Sequence, residues 1–199
     1  MDRIRRNLIG VAIATACAVA GCGTQMTSAP SGFLSSYDGL HATSSEAAAS
    51  RRSTQPLDAS HFDVEEVEWR AAQSTDITDV EQAALRARLR TEIQQNLSGV
   101  PTASHGRTIV LRAVITRVEP VSPTLNAASA LLLFVPLERG GAAVEMEAID
   151  VQTGEQLAAM RFGYFAPMTE LKARFSKLAP AELALKKAAS DFARLLQAS

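Results

Sequence analysis

The sequence predicts an α+β fold in which two helices pack on one face of a small, mainly antiparallel sheet. Two segments repeat apolar residues every three to four positions, three segments alternate apolar and polar residues, and one short segment is apolar on both faces. These periods distinguish helices from strands, because side chains repeat every 3.6 residues around a helix and every two along a strand. The segments occur in the order β-α-β-β-β-α along residues 61–199, and helices on one side of a sheet bury one face of each layer.

The first predicted strand covers residues 61–70. Phe62 and Val64 alternate with charged residues, and Val67 and Trp69 continue the alternation in the opposite phase. This slip predicts a bulge, or a strand whose two ends are buried on different faces.

The first predicted helix covers residues 78–97. Thr78 and Glu81 have the spacing of a capping box, and Gly99 follows as a stop. Its apolar stripe repeats every four residues at Leu85, Leu89, Ile93 and Leu97. The helix is therefore expected to pack on the sheet along one side.

The other predicted elements complete the sheet and its cover. Residues 108–118 are apolar on both faces, which predicts an interior strand. Residues 143–151 and 156–165 read as a hairpin around Gly154. Pro180 suits the first turn of the final helix, whose expected buried stripe is Ala181, Leu185, Ala188, Phe192 and Leu195.

Residues 1–21 have the pattern of a secretory signal peptide. A basic start precedes an apolar run at residues 8–20, which is shorter than the roughly 20 residues that span a bilayer as a helix. The run ends in Val19-Ala20-Gly21-Cys22, which resembles the bacterial lipobox. That resemblance implies cleavage between Gly21 and Cys22 and acyl chains on Cys22; the alternative is an ordinary signal peptide that contains a cysteine.

The residue after the cysteine bears on the expected compartment. Gly23 stands where an Asp would retain an enteric lipoprotein in the inner membrane. The resemblance therefore implies attachment to the outer membrane, with the domain in the periplasm. Two or three acyl chains would give stable membrane anchoring.

The composition of the mature chain excludes several classes of function. Cleavage removes three Arg and one Asp and leaves an excess of acidic residues, so there is no basic surface for nucleic acid. Cys17 leaves with the signal peptide and Cys22 is acylated, which excludes cysteine catalysis and thiolate metal sites.

Residues 22–60 are rich in Ala, Ser, Thr, Gly and Pro and are expected to form a flexible tether. Residues 32–40 interrupt it with Phe33, Leu34, Tyr37 and Leu40 at helical spacing. Apolar side chains in a free tether would gain nothing from exposure. This segment is expected to dock either on the protein's own domain or on a partner.

A second surplus of apolar residues lies in the connection at residues 125–137. Its centre contains Leu131, Leu132, Leu133 and Phe134. Burying each such side chain is worth about 1.5–3 kcal/mol. Three interpretations remain open: a core strand or short helix, an exposed patch for a protein partner or self-association, and a contact with membrane or an acyl chain.

Few residues indicate catalysis or metal binding. His61 lies near Asp58 and Asp63, a set that could ligate a cation, although a solvated strand start explains it better. Glu145 and Glu147 share one strand face, as a carboxylate pair or an outward polar face would. No cofactor, metal site or enzymatic activity is expected.

Three parts of the chain carry a resemblance to a family. The lipobox, residues 32–40 (GFLSSYDGL) and residues 150–158 (DVQTGEQLA) resemble the domain of unknown function 3313 family of small Gram-negative lipoproteins. The resemblance covers most of the mature chain and implies no activity.

Anchor, composition and surplus apolar residues together favour a non-enzymatic, membrane-anchored domain. Its expected partners are the membrane, through the acyl chains, and an unknown envelope protein or a second copy. The alternatives are a module that binds a lipid or small apolar molecule near residues 131–135 and, more weakly, a hydrolase that uses Glu145 and Glu147.

Overall fold

The computed structural model describes residues 26, 29–42, 47–52, 57–72, 76–133, 138–167, 170 and 175–197. The signal peptide and Cys22 lie outside these residues, so the predictions made for them stay predictions. The elements of the described residues are, in chain order, β1 (Ala47–Arg52), β2 (Ala59–Val64), β3 (Glu68–Trp69), α1 (Asp79–Leu97), β4 (Arg107–Glu119), α2 (Pro123–Leu133), β5 (Gly141–Asp150), β6 (Gln156–Phe165) and α3 (Ala179–Gln197).

The strands form one mixed sheet in the order β1-β6-β5-β4-β2, with β3 also paired to β4. The α+β prediction is confirmed, with three helices where two were expected. The sheet is antiparallel except where β2 and β3 run parallel to β4. This parallel pairing arises because the chain crosses from β3 to β4 through α1, and a helical crossover returns the chain in the same direction.

The predicted strand over residues 61–70 is two strands. β2 ends at Val64, where the Glu65 N–H donates to the Leu111 carbonyl at 3.0 Å, and β3 resumes at Glu68. Buried Val67 lies in the break. The slip in alternation therefore marks an interruption between two short strands.

Helices α1 and α3 cover one face of the sheet. Thr78 and Glu81 form the predicted capping box at the start of α1, and both helices turn apolar stripes into the core. Leu195, expected in the stripe of α3, is only partly buried, whereas Leu196 is buried. From the sheet, alternate residues of β4, β5 and β6 complete this core.

The second face of the sheet is covered by part of the predicted tether. Residues 31–40, called the clasp segment below, pack Phe33 and Leu34 against Val114 and Ala159. Further along the same range, β1 pairs antiparallel with β6. The low apolar content of residues 22–60 predicts flexibility, but the clasp segment is held on the sheet by a few apolar residues and many hydrogen bonds.

Helix α2 occupies the centre of the apolar connection. Leu131 and Leu132 are 79% and 76% exposed, so the interpretation as core does not hold for them. The side chain of Leu133 and the whole of Phe134 lie outside the described part of the chain. No helix among the described residues is long and apolar enough to cross a bilayer.

Candidate functional site

Two acidic side chains lie side by side beneath the clasp segment. Glu145 and Glu147 project from β5 on the face opposite the helices, and each is 0% exposed. The interpretation of this face as outward and solvated is wrong, because the clasp segment covers it. A buried carboxylate requires hydrogen-bond donors or cations around it.

Donors from the clasp segment surround Glu145. Ser31 donates twice, from its backbone N–H at 3.0 Å and from its hydroxyl at 2.6 Å. The Tyr37 hydroxyl donates at 2.6 Å. Arg161 contributes positive charge, with its Nε 3.5 Å from Glu145 Oε1.

Glu147 is held in the same way two residues along the strand. The Ser35 N–H and hydroxyl donate to it at 2.8 and 3.2 Å. The Gln156 amide donates at 2.7 Å, and Arg112 forms an ion pair at 2.9 Å. Both oxygens therefore accept hydrogen bonds, each from two donors.

The clasp segment is ordered around one phenol and one aromatic ring. The Tyr37 oxygen accepts the backbone N–H of Phe33 at 3.0 Å and that of Leu34 at 3.3 Å. The guanidinium carbons of Arg112 and Arg70 lie 4.9 and 5.3 Å from the centroid of Phe33. These cation–π contacts place the arginines over the ring while Arg112 also reaches Glu147.

This arrangement is suited to holding the clasp segment on the sheet. A general base or a nucleophilic carboxylate needs an approach for substrate, whereas Glu145 and Glu147 are covered and hydrogen-bonded. We therefore interpret the pair as a structural lock.

The chain reaches the sheet upstream of the clasp segment, at Met26. The buried Met26 donates its N–H to the Gly163 carbonyl at 2.9 Å. A Cβ at position 163 would overlap the Met26 carbonyl oxygen, so only glycine allows this approach.

The β5–β6 hairpin is closed by Asp150. Its Oδ1 accepts the N–H groups of Gln152 and Thr153 at 2.8 and 3.3 Å, and Arg107 pairs with Oδ2 at 2.9 Å. The backbone hydrogen bond from Gln152 is the main cause that lowers the pKa of Asp150 below its ordinary value of 3.8; Thr153 and Arg107 add to it. Gly154 completes the turn at φ +71°.

A second perturbed acid joins α1 to the segment before α3. Lys177 Nζ lies 2.9 Å from both carboxylate oxygens of Glu81. The hydrogen bond from Lys177, followed by the one from the Thr78 backbone, lowers the pKa of Glu81 from 4.5 to about 2. Its position in the capping box makes this a structural carboxylate.

The predicted interaction residues separate into two groups. Phe33 and Leu34 are buried against the protein's own sheet, with Tyr37 and Leu40 partly buried beside them. A partner could reach Phe33 and Leu34 only if the clasp segment moved away from the sheet. Leu131 and Leu132 are open to solvent and remain accessible.

Comparison with known proteins identifies the family. The model of DUF3313, a protein family of unknown function, matches residues 29–192. The chain belongs to the DUF3313 family. The search of curated proteins found no match.

Several solved structures are similar to this DUF3313 chain at low identity. PelC from Paraburkholderia phytofirmans, a dodecamer, is 14% identical over 71% of this chain and 96% of its own, with a TM-score of 0.43. The DUF330 protein XCC0632 from Xanthomonas campestris is 11% identical over 72% and 87%, with a TM-score of 0.40. A protein described as a lipoprotein, from Caulobacter crescentus, is 17% identical over 66% and 85%, with a TM-score of 0.30. Likenesses this distant do not establish the role of the chain.

Other places in the DUF3313 chain offer little for ligand chemistry. In the described ranges, no three His, Cys, Asp or Glu side chains come together as a metal site. His61 lies exposed on β2, at the edge of a cleft of about 460 Å³ between β2 and α1. A second cleft, of about 500 Å³, lies beside the start of α2 and includes Asp76, Glu138 and Lys177.

Sequence reasoning missed the lock that joins the clasp segment to β5. Ser31 and Ser35 are four residues apart, and their partners Glu145 and Glu147 are two apart, but more than 100 residues separate the two sets. The paired acids and the aromatic clasp segment were each visible in the sequence. Only the order of the strands brings them together.

Proposed function

We propose that this DUF3313 protein is an acyl-anchored lipoprotein of the outer membrane whose periplasmic domain is a non-enzymatic subunit of an envelope assembly. The observation that carries the proposal is the resemblance of residues 19–22 to a lipobox, four residues ahead of Met26, which contacts the sheet. An acylated Cys22 would anchor such a domain to the membrane surface.

The lock at Glu145 and Glu147 supports a non-enzymatic role. These are the acids that a carboxylate-dependent hydrolase would use, and both are engaged in holding the clasp segment. The clefts beside α1 and α2 are open and include charged side chains, which favours a binding or supporting domain over a container for an apolar ligand.

Metabolic labelling in a Gram-negative host tests the anchor. With radioactive palmitate, we expect the wild-type chain to incorporate label and to fractionate with the outer membrane. We expect Cys22→Ser to lose both properties, whereas Cys17→Ser, the matched control inside the signal peptide, should retain them. An unlabelled wild-type chain released as a soluble periplasmic protein would contradict the proposal.

Photo-crosslinking in living cells tests the interaction role. A crosslinking residue at His61, exposed on the outermost strand β2, is compared with one at Leu34, which belongs to the clasp segment and is buried against the sheet. A discrete protein adduct at His61 alone would support an envelope partner at this edge. If neither position forms an adduct, a partner at β2 is excluded.

A further inference from the structure

The exposed apolar side chains of the described residues gather at one end of the molecule. This end, called the α2 end below, is where β4 and β6 finish and β5 begins. A hydrogen bond from the Val121 N–H to the Lys177 carbonyl holds the segment before α3 at this end. The ion pair between Lys177 and Glu81 shows that α1 also starts at this end. Five of the six exposed large apolar residues lie at this end: Val80, Leu125, Leu131, Leu132 and Phe175.

Helix α2 is oriented opposite to an ordinary surface helix. Its polar residues Asn126 and Ser129 are buried, and Asn126 accepts the Glu138 N–H at 2.9 Å. Leu125 and Leu132, seven residues apart, lie together on the outer side. A globular protein normally presents the polar side of a surface helix to water.

The N-terminal chain enters the fold at the same end. Met26 contacts Gly163, two residues before β6 ends at Phe165. The chain then runs away from the α2 end, past Glu145 at Ser31 and on toward Glu147 at Ser35. Position 22 is four residues upstream of Met26, and four extended residues reach about 14 Å at most.

We propose that the α2 end lies on the membrane leaflet that holds the acyl chains, with Leu131 and Leu132 inserted into its interface. The proposal rests on the proposed acylation of Cys22. Helix α2 is too short to span a bilayer, and residues 120–137 contain no charged side chain. An apolar helix face at the surface of a bilayer can bury its side chains about 5–10 Å into the headgroup region.

The short reach of the N-terminal chain favours lipid over a protein at this surface. An acyl anchor within about 14 Å of Met26 brings the α2 end against the leaflet whether or not a partner is present. A protein covering Leu131 and Leu132 would have to fit between this end and the lipid. The membrane is therefore the occupant that the geometry selects.

Fluorescence quenching by lipids brominated on their acyl chains tests the proposal. The purified acylated protein, beginning at Cys22, is reconstituted into vesicles of phosphatidylethanolamine and phosphatidylglycerol, in a Trp69→Phe background. Leu132→Trp places the probe on α2, and Val151→Trp is the control, since Val151 is 56% exposed in the turn at the opposite end. We expect Leu132→Trp to lose about half of its emission or more, because brominated chains quench an indole at interfacial depth, while Val151→Trp keeps its emission.

The outcomes separate this proposal from the anchor itself. If the protein is acylated and binds vesicles but Leu132→Trp is not quenched, the membrane contact is wrong and the anchor stands. If the protein is neither acylated nor vesicle-bound, both proposals fail. Quenching at Leu132 but not at Val151 supports the contact.

A crosslinking residue at Leu132 in living cells gives a second test that leaves Trp69 in place. We expect an adduct with phospholipid mass at Leu132 and none at Arg90, which lies on α1 against β2 and is bonded to Val64 and Glu66. A discrete adduct with another protein or with a second copy of this chain, and no lipid adduct, would overturn the proposal.

Discussion

Glu147 shows how a single buried residue joins two distant parts of the chain. Its two oxygens accept four hydrogen bonds, two from Ser35 in the clasp segment, one from Gln156 and one from Arg112. A buried donor that loses its acceptor costs about 1–3 kcal/mol, whereas Arg112 still faces Glu65 at 3.6 Å when Glu147 is neutralised.

Glu147→Gln is therefore expected to lower the free energy of unfolding by about 2–5 kcal/mol, because two buried donors lose their acceptor. Each carboxylate oxygen of Glu147 accepts from two donors, so the NH₂ group of the new amide faces two donors in either orientation. The matched control is Glu119→Gln, which breaks the half-exposed ion pair with Arg117 and should cost no more than about 1 kcal/mol. Urea unfolding of the purified variants measures both. Equal, small losses would show that the lock adds no stability.

Glu81 is expected to make the free energy of unfolding depend on pH in the acid range. Lys177 lowers the pKa of Glu81 in the folded state to about 2 from an ordinary 4.5. The contribution of Glu81 to the free energy of unfolding is therefore complete above pH 4.5 and is lost as the pH falls toward 2. Glu81→Gln should flatten this part of the curve because an amide does not titrate in this range, and Gln can still serve in the capping box at the start of α1. Urea midpoints between pH 2 and 5 measure the effect, and Glu182→Gln in α3 controls for net charge.

At the scale of elements, the backbone of Met26 lies close against β6, and this contact depends on Gly163. Phe162 and Tyr164 face the helical core, while Gly163 faces the other way and contacts the Met26 backbone. The contact between Met26 and the sheet therefore depends on the absence of a side chain at position 163.

Gly163→Ala is expected to release the chain around Met26 while leaving the sheet folded. The added Cβ meets the Met26 carbonyl oxygen, and the hydrogen bond from Met26 to Gly163 is lost. Hydrogen exchange at the Met26 amide should accelerate about tenfold or more, as expected for local opening. Gly99→Ala is the control, because the nearest atom to its added Cβ would be the Asn96 carbonyl oxygen at 3.7 Å, an ordinary contact. If exchange is unchanged, the contact does not restrain the N-terminal chain.

The whole molecule has two different ends. The α2 end combines the entry of the N-terminal chain with most of the exposed apolar side chains, and the other end carries the Asp150 turn. An acyl anchor and the apolar face of α2 at the same end would act together, because the anchor would hold the helix at a high effective concentration near the membrane surface.

Lengthening the anchor and removing the leucines are expected to act cooperatively. A dye on Val151→Cys, the only thiol of the acylated chain, reports distance to an acceptor at the vesicle surface by energy transfer. Inserting twelve Gly/Ser residues after Gly23 should change the transfer little, as should Leu131→Glu with Leu132→Glu. Both changes together should release the domain to about 20 Å or more from the surface. Full release by either change alone would mean that only one attachment exists.

The sequence by itself determined the elements whose signals are local. The capping box at Thr78, the stripe of α1 and the β5–β6 hairpin depend on residues within one or two turns or strands, so spacing alone reveals them. The resemblance of the GFLSSYDGL and DVQTGEQLA stretches also led to the correct family. The α+β class followed from the order of these elements.

Only the tertiary structure decided what the polar residues do. Alternation along β5 indicates that Glu145 and Glu147 share a face, but it cannot tell whether that face meets water or a segment more than 100 residues away. Likewise, the composition of residues 22–60 indicates a tether. It cannot show that Ser31 and Tyr37 are ordered, because the hydrogen bonds that order them are made with distant carboxylates. Leu131 and Leu132 are exposed because α2 buries the side that carries Asn126 and Ser129, and this orientation does not follow from apolar content.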